Sequence, residues 1–373
     1  MIKKNKRPSI KAHSADKALI IAIFFLLGFG LIILSSASTE VSRENFNKPY
    51  YYFFHQLIYG VGIGLIFFFV CQKIHYRFWK KAAIFILFLS ITALILVFVP
   101  GIGFGYGGGE RWIDLRLFSF QSSELVKLGF IIYLAAWLEK RKTEVRKFSQ
   151  STLPFLLIMG IISFLIIRQT DIGTLGIIVI IGLVVFFTAG AKISHILGIV
   201  LVGSIGLFAF IKLFHYGINR VLTFFHPEID PLGIGYQINQ ALLTIGSGGL
   251  FGIGLGHSRQ KYNYLPSPAS DSIFAITAEE MGFIGAGFLI ILFLFLALRG
   301  FRIAKNSPDR FAGLTAIGIT SWLVFQAIIN IGAITGLIPL TGITLPFVSY
   351  GASSMIMSLA GAGILINISK HTV

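Results

Sequence analysis

Residues 152–189 read TLPFLLIMGIISFLIIRQTDIGTLGIIVIIGLVVFFTA. Two apolar runs, 152–167 and 172–189, flank the polar tetrapeptide Arg168-Gln169-Thr170-Asp171. A single unbroken helix would carry both charges into hydrocarbon, at a cost of about 3 kcal/mol each near the bilayer centre. The spacing therefore predicts a tight helical hairpin whose polar tip emerges from the membrane. Outward from this hairpin, similar runs recur near 18–38, 53–71, 82–99, 124–138, 193–213, 273–298, 311–335 and 352–368. Several fall short of the ~20 residues that span a bilayer. The whole chain nevertheless points the same way: 55% of its 373 residues are hydrophobic, 12% are charged, and mean hydropathy is +0.83. A soluble domain carries roughly a quarter of its residues as charges. The expected fold is all-α: a polytopic membrane protein of about ten helices, one domain over 18–370 behind a basic segment, 1–17.

The formal net charge of +16 does not indicate a nucleic-acid binder, because the basic residues sit in short clusters between apolar runs rather than along one face. Their distribution sets orientation instead. With the N-terminus inside, inside segments hold 21 of the 31 Lys and Arg and outside segments hold 10. That bias places both termini in the cytoplasm. No small-residue cleavage site follows the first apolar run, so the first helix reads as uncleaved. Cys71 is the sole cysteine, which excludes an intrachain disulfide. The eight histidines show no metal-ligand spacing.

Function is expected on the outer face, where the loops near 100–123 and 214–272 mix glycine, aromatic and charged residues. Segment 111–120, RWIDLRLFSF, reads as lying in the membrane interface. The outward charged set is Arg111, Asp114, Glu124, Lys127, Arg168, Asp171, Arg220, Asp230, Arg259, Lys261 and Asp271. Glu279 and Glu280 fall one or two turns inside the helix after Asp271. A carboxylate at that depth needs a partner, and Lys127 or Arg111 is the expected one, Lys127 first. Asp171 is expected to cap the next helix and pair with Arg168. Asp271, within Ser270-Asp271-Ser272, has two open readings, a helix cap or a catalytic group. The glycine-rich stretches GYGGGE (105–110) and GSGGLFGIGLG (246–256) lack the Lys-Ser/Thr ending of a nucleotide loop. They read as close packing or re-entrant turns.

A series of motifs carries a family resemblance. It runs through Arg111-Trp112-Ile113-Asp114, Phe120-Gln121-Ser122-Ser123-Glu124-Leu125 with Lys127, and Gln169-Thr170-Asp171-Ile172-Gly173-Thr174. It continues with Gly235-Tyr236-Gln237, Gly248-Gly249-Leu250-Phe251-Gly252, and Leu265-Pro266 with Asp271 and Glu279-Glu280. It ends with Asn330-Ile331-Gly332, Leu345-Pro346 and Ser349-Tyr350-Gly351. In this order the chain resembles the SEDS family (shape, elongation, division and sporulation), the bacterial peptidoglycan polymerases that include FtsW and RodA. Gln260-Lys261 and Tyr264-Leu265-Pro266 resemble the division branch, FtsW, more than RodA. The chain departs from the family at Ser122 and Thr170, usually Pro, at Ala352, usually Gly, and through Ser267–Ser272, where the acid is kept without its usual His and Phe neighbours.

The resemblance implies polymerisation of lipid II on the outer face of the bacterial cytoplasmic membrane, at the division site. It implies Asp271 as catalytic base and Arg111, Trp112, Glu124, Lys127, Asp171, Arg259, Lys261, Glu280 and Ser349 as substrate-binding residues. Arg111, Lys127, Arg259 and Lys261 are the cations offered to the lipid pyrophosphate, alongside a divalent cation such as Mg held by carboxylates and phosphate. Implied partners are lipid II and the nascent glycan strand, a class B penicillin-binding protein, other division proteins and membrane lipids, with no nucleic acid. Two alternatives stand beside this reading: a lipid II flippase or other multi-pass transporter, and a non-catalytic division scaffold. No internal inverted repeat is visible, and the polar residues gather near one surface rather than the midplane, which disfavours a transporter.

Overall fold

Each of the ten apolar runs folds as a helix in the computed structural model, which describes residues 13–106, 109–214, 223–226, 233 and 235–372. Most of the basic N-terminal segment, together with Arg220 and Asp230, lies outside the described residues. The helices are α1 Lys17–Ala37, α2 Tyr51–Lys73, α3 Arg77–Leu96, α4 Ser122–Glu139, α5 Phe148–Arg168, α6 Ile172–Thr188, α7 Ile193–Phe214, α8 Ile273–Lys305, α9 Arg310–Ile334 and α10 Ala352–Ser369. Seven of them (α1–α3, α5 and α8–α10) are long and apolar enough to cross a membrane. The hairpin tip at 168–171 turns as expected, with Thr170 at φ 58°.

Both described ends of the chain meet at one end of the bundle. His13 N–H donates to Lys370 O at 2.8 Å, and Asp16 N–H donates to Ser369 Oγ at 3.0 Å. Asp16 also caps α1 through Leu19 N and takes Arg299 Nη2 at 2.6 Å. The two described ends of the chain therefore lie on the same side of the bundle.

At the centre stands α10, with every one of its 18 residues buried. A helix apolar on all sides suits that position, and small residues let its neighbours approach. Gly361 faces the Trp322 ring of α9, and Gly363 faces the backbone of Phe68 in α2. By contrast α7 is peripheral, with Ile193, Leu197, Leu201 and Val202 exposed, a surface suited to lipid.

Segment 111–120 folds mostly as strands. A three-stranded antiparallel sheet of β1 Gly103–Tyr106, β2 Gly109–Asp114 and β3 Ser119–Gln121 covers the end of the bundle opposite the described chain ends, against the α5–α6 tip. Phe104 pairs with Trp112 across β1 and β2, their rings 6.0 Å apart. Arg116 turns the chain at φ 65°, with its N–H bonded to Asp114 Oδ1 at 2.7 Å.

Helix α8 breaks at Gly282, at φ 67°. A break frees backbone groups that lipid cannot satisfy, and the glycine-rich stretch supplies them. Ile253 and Gly254 N–H donate to the carbonyls of Glu279 and Glu280, while Phe283 and Ile284 N–H donate to those of Gly249 and Leu250. Any Cβ at Gly248, Gly252 or Gly282 would collide with the opposing backbone. Of the two roles expected of this stretch, close packing is seen at Gly248 and Gly252.

Candidate active site

Asp271 lies at the mouth of α8, but it does not cap the helix. The N-cap is Ser272, which makes no side-chain capping bond. The Asp271 carboxylate instead accepts from Gln237 Nε2 at 3.2 Å and Ser270 Oγ at 3.1 Å, and Oδ2 faces the bare backbone of Gly342. Its own carbonyl accepts from Asn330 Nδ2 at 2.9 Å. Burial pushes the carboxyl above the ordinary carboxylate value, against the lowering effect of the hydrogen bonds it accepts. The residue still keeps part of its surface accessible.

The atypical Ser267–Ser272 loop holds this geometry by its backbone. Ser267 adopts φ 52°, and its carbonyl accepts from the N–H groups of Ser270 and Ser272. Ser349 braces the loop from the other side, its Oγ donating to Ser270 O at 2.5 Å while taking Leu345 N–H at 2.8 Å. Tyr350 N–H bonds Ala269 O at 2.8 Å. Behind Ser349, the buried Gln56 donates to its carbonyl at 3.4 Å and accepts from Gly351 N–H at 3.1 Å. Gln56 opens a π-helical turn in α2, a feature that often marks functional sites.

About 13 Å deeper along α8, from the helical rise of nine residues, lies a second polar layer. Here Glu280 pairs with Lys261 at 3.5 Å, the two side chains 0% and 5% exposed. This corrects the expected pairing with Lys127 or Arg111: the loop re-enters at 252–254 and carries Lys261 back onto α8. Ser36 Oγ and Ser258 N–H also reach Glu280 Oε1, at 2.5 and 3.2 Å. Glu279 accepts from Ser258 Oγ at 2.5 Å and Arg259 N–H at 3.1 Å. The Arg259 side chain is exposed and makes no ion pair among the described residues.

Lys127 serves a third group. It donates to Glu124 Oε1 and to Gln326 Oε1, both at 2.7 Å, with its ammonium 5.2 Å from the Trp322 ring centre. Gln326 Nε2 then holds Thr344 O at 2.9 Å, one turn along α9 from Asn330, which holds Ile343 O at 2.8 Å. Lys127 and Glu124 thus fix the loop that faces Asp271.

Arg111 staples the sheet to the α5–α6 tip, donating to Gln169 O at 3.1 Å and Thr170 O at 2.8 Å. Asp171 caps α6 through Thr174 N–H at 3.2 Å and accepts from Gln121 Nε2 at 3.0 Å and Ser123 Oγ at 3.3 Å. Arg168 is exposed and is not its partner, a correction to the expected pair. Among the described residues no cluster of three His, Cys, Asp or Glu is placed to hold a metal ion, so a divalent cation would depend on substrate oxygens for much of its coordination.

Comparison with known proteins places the chain in a family. The family model for FtsW, RodA and SpoVE, described as cell cycle protein, matches residues 17–373. The chain belongs to this family. It is 40% identical to stage V sporulation protein E of Bacillus subtilis over 97% of this chain and 99% of that protein. It is 38% identical to a probable peptidoglycan glycosyltransferase FtsW of a Geobacter species, over 97% and 98%. A chain of a solved peptidoglycan synthase complex, described as coordinating polymerization and crosslinking, superposes with a TM-score of 0.79 at 28% identity, covering 95% of this chain and 97% of that one.

The sequence reading assigned no role to Ser36, Gln56, Ser258, Gln326 or Asn330 in this FtsW/RodA/SpoVE chain. A side-chain amide inside an apolar run is a polar group that hydrocarbon penalises, which is the signal for Gln56, Gln326 and Asn330. Serines give no comparable signal.

Proposed function

We propose that this chain, a peptidoglycan glycosyltransferase, polymerises lipid II at the end of the bundle bearing Asp271, the end that the charge bias assigns to the outside. One observation carries the reading: Asp271 is not used as a cap, and its carboxylate stands at the mouth of α8 on a neutral amide and a hydroxyl. An alcohol is a weak nucleophile at neutral pH and needs a base. In this account Asp271 accepts the proton of a sugar hydroxyl on one lipid II as that oxygen bonds to the anomeric carbon of the lipid-linked strand. The bond from that carbon to the pyrophosphate oxygen breaks, and the polyprenyl pyrophosphate leaves with the electron pair. A base raised by burial matches this task, because its proton affinity lies nearer neutrality.

The cations divide by what already occupies them. Lys127 and Lys261 are engaged by carboxylates, and Arg111 is engaged by two carbonyls, so these hold the frame. Arg259 is left to meet the pyrophosphate. Trp112, on the sheet above, offers a ring to a sugar. The broken helix α8 is a transporter-like feature, but its freed backbone groups are taken up by the glycine-rich stretch.

The family's class B penicillin-binding protein and division-site location follow as part of the proposal. Purified chain with labelled lipid II tests the reading, with the class B protein added in a parallel reaction. Glycan product is expected. Movement of lipid II between leaflets without glycan would establish the flippase reading instead, and neither activity would leave a scaffold.

A further inference from the structure

At the end of the bundle opposite Asp271, α3, α4 and the connection before α9 enclose a cavity of about 440 Å³. Arg77, Lys80, Lys81, Lys140 and Arg141 line it, against a single acid, Asp309. We propose that this cavity is a headgroup site for an anionic phospholipid, whose acyl chain runs along the outer stripe of α3.

The electrostatics leave an anion missing. Three of the cations fall in the first turns of α3, whose first turn holds no acidic residue, although a helix N-terminus disfavours positive side chains. Local carboxylates are already committed. Lys80 takes Glu139 at 2.5 Å, while Asp309 caps α9 through Ala312 N–H and accepts from Tyr76 OH, both at 2.9 Å. Glu144 reaches only Arg141, at 3.9 Å. Arg77, Lys81 and Lys140 have no carboxylate partner among the described residues. Arg141 stacks on Trp137, 4.6 Å from the ring centre, and its Nε is buried without a hydrogen bond. A phosphate oxygen would supply that acceptor.

A lipid, rather than a free phosphate, fits the apolar track that leaves the cavity. Ile84, 73% exposed, forms part of its wall. Phe88, Ile91 and Ile95 follow at helical spacing on the same face of α3. Ile91 and Ile95 then line a groove against Leu157, Gly160 and Phe164 of α5. From Ile84 to Ile95 the helix rises about 16 Å, comparable to an acyl chain. The charge bias assigns this end to the cytoplasm, where leaflets are anionic and basic pockets between helices take lipid headgroups.

The test uses the full chain in detergent with spin-labelled phosphatidylglycerol and phosphatidylcholine, read as the ratio of motionally restricted lipid. The wild type is expected to prefer phosphatidylglycerol by more than about tenfold. Arg77→Gln with Lys81→Gln and Lys140→Gln should lower that preference by at least about fivefold, equivalent to one basic contact of ~1 kcal/mol. Lys142→Gln with Arg146→Gln and Lys147→Gln removes equal charge from the adjacent connection, outside the cavity, and should leave it unchanged. Lys140→Gln alone should show a partial loss, which keeps the test open if the triple variant fails to fold. Equal loss in both triple variants would overturn the proposal in favour of diffuse attraction. So would thermal stabilisation by inorganic phosphate, at matched ionic strength, equal to that by short-chain phosphatidylglycerol.

Discussion

Glu280 keeps a carboxylate inside a membrane helix because Lys261, Ser36 and Ser258 converge on one of its oxygens. Breaking a buried pair strands a charge and costs about 3–5 kcal/mol, whereas removing both partners costs far less. Glu280→Gln and Lys261→Met should therefore each lower the melting temperature, and the double variant should recover much of the loss. Lys127→Met should add its own loss to Glu280→Gln, since Lys127 belongs to Glu124. Coupling of Glu280 to Lys127 rather than Lys261 in such a cycle would reject the assignment. The sequence already held part of this answer: Glu124 and Lys127 are three residues apart on one helix, the spacing at which side chains meet. The Lys261 contact was hidden because it depends on a loop folding back over about twenty residues of chain. Asp271 adds a pH signature. Its raised carboxyl means that polymerisation should rise with pH through an apparent pKa above the ordinary ~3.9. The same shift contributes stability that is present below the unfolded value and lost as pH rises through the folded one. The melting temperature should fall across that window, and Asp271→Asn should remove the slope.

At the scale of elements, the ten apolar runs were legible because a bilayer satisfies no backbone group and so forces each run into a helix. The α5–α6 hairpin was legible for the same reason, its charges marking the tip. The three-stranded sheet was not. Its strands are three to six residues long, and the aromatic residues that pair across it also suit a membrane interface. The α8 break was only half visible: its glycine-rich partner stands out in the sequence, but Gly282 looks like an ordinary glycine of a membrane helix. At φ 67° against the Gly252 backbone, it tolerates no side chain. Gly282→Ala is expected to reduce membrane accumulation and melting temperature, because both strain and collision arise together. Gly287→Ala, with open space around the same atom, should be neutral or mildly stabilising by up to about 1 kcal/mol. Indistinguishable behaviour of the two variants would refute this account of the break.

For the whole molecule, both described chain ends close on one another at the end of the bundle opposite Asp271. Ser267 and Asn306 are both exposed, at opposite ends of the bundle. In a Cys71→Ala background, a cysteine at Ser267 should react with a membrane-impermeant thiol reagent applied outside, and one at Asn306 should not. The reverse pattern would remove the proposed chemistry from the face where a lipid-linked polymer grows.

The central claim is that Asp271 is a base and not a structural acid. Asn at this position keeps the size and a hydrogen-bonding carbonyl while losing the charge and the proton acceptor. The decisive measurement is the rate of glycan synthesis from lipid II by purified Asp271→Asn protein, with its melting temperature taken at pH 7. The account predicts a fall of about 10²–10⁴-fold, with a melting temperature equal to or above the wild type because an unfavourably buried charge has been removed. Near-normal synthesis by the well-folded variant would contradict it.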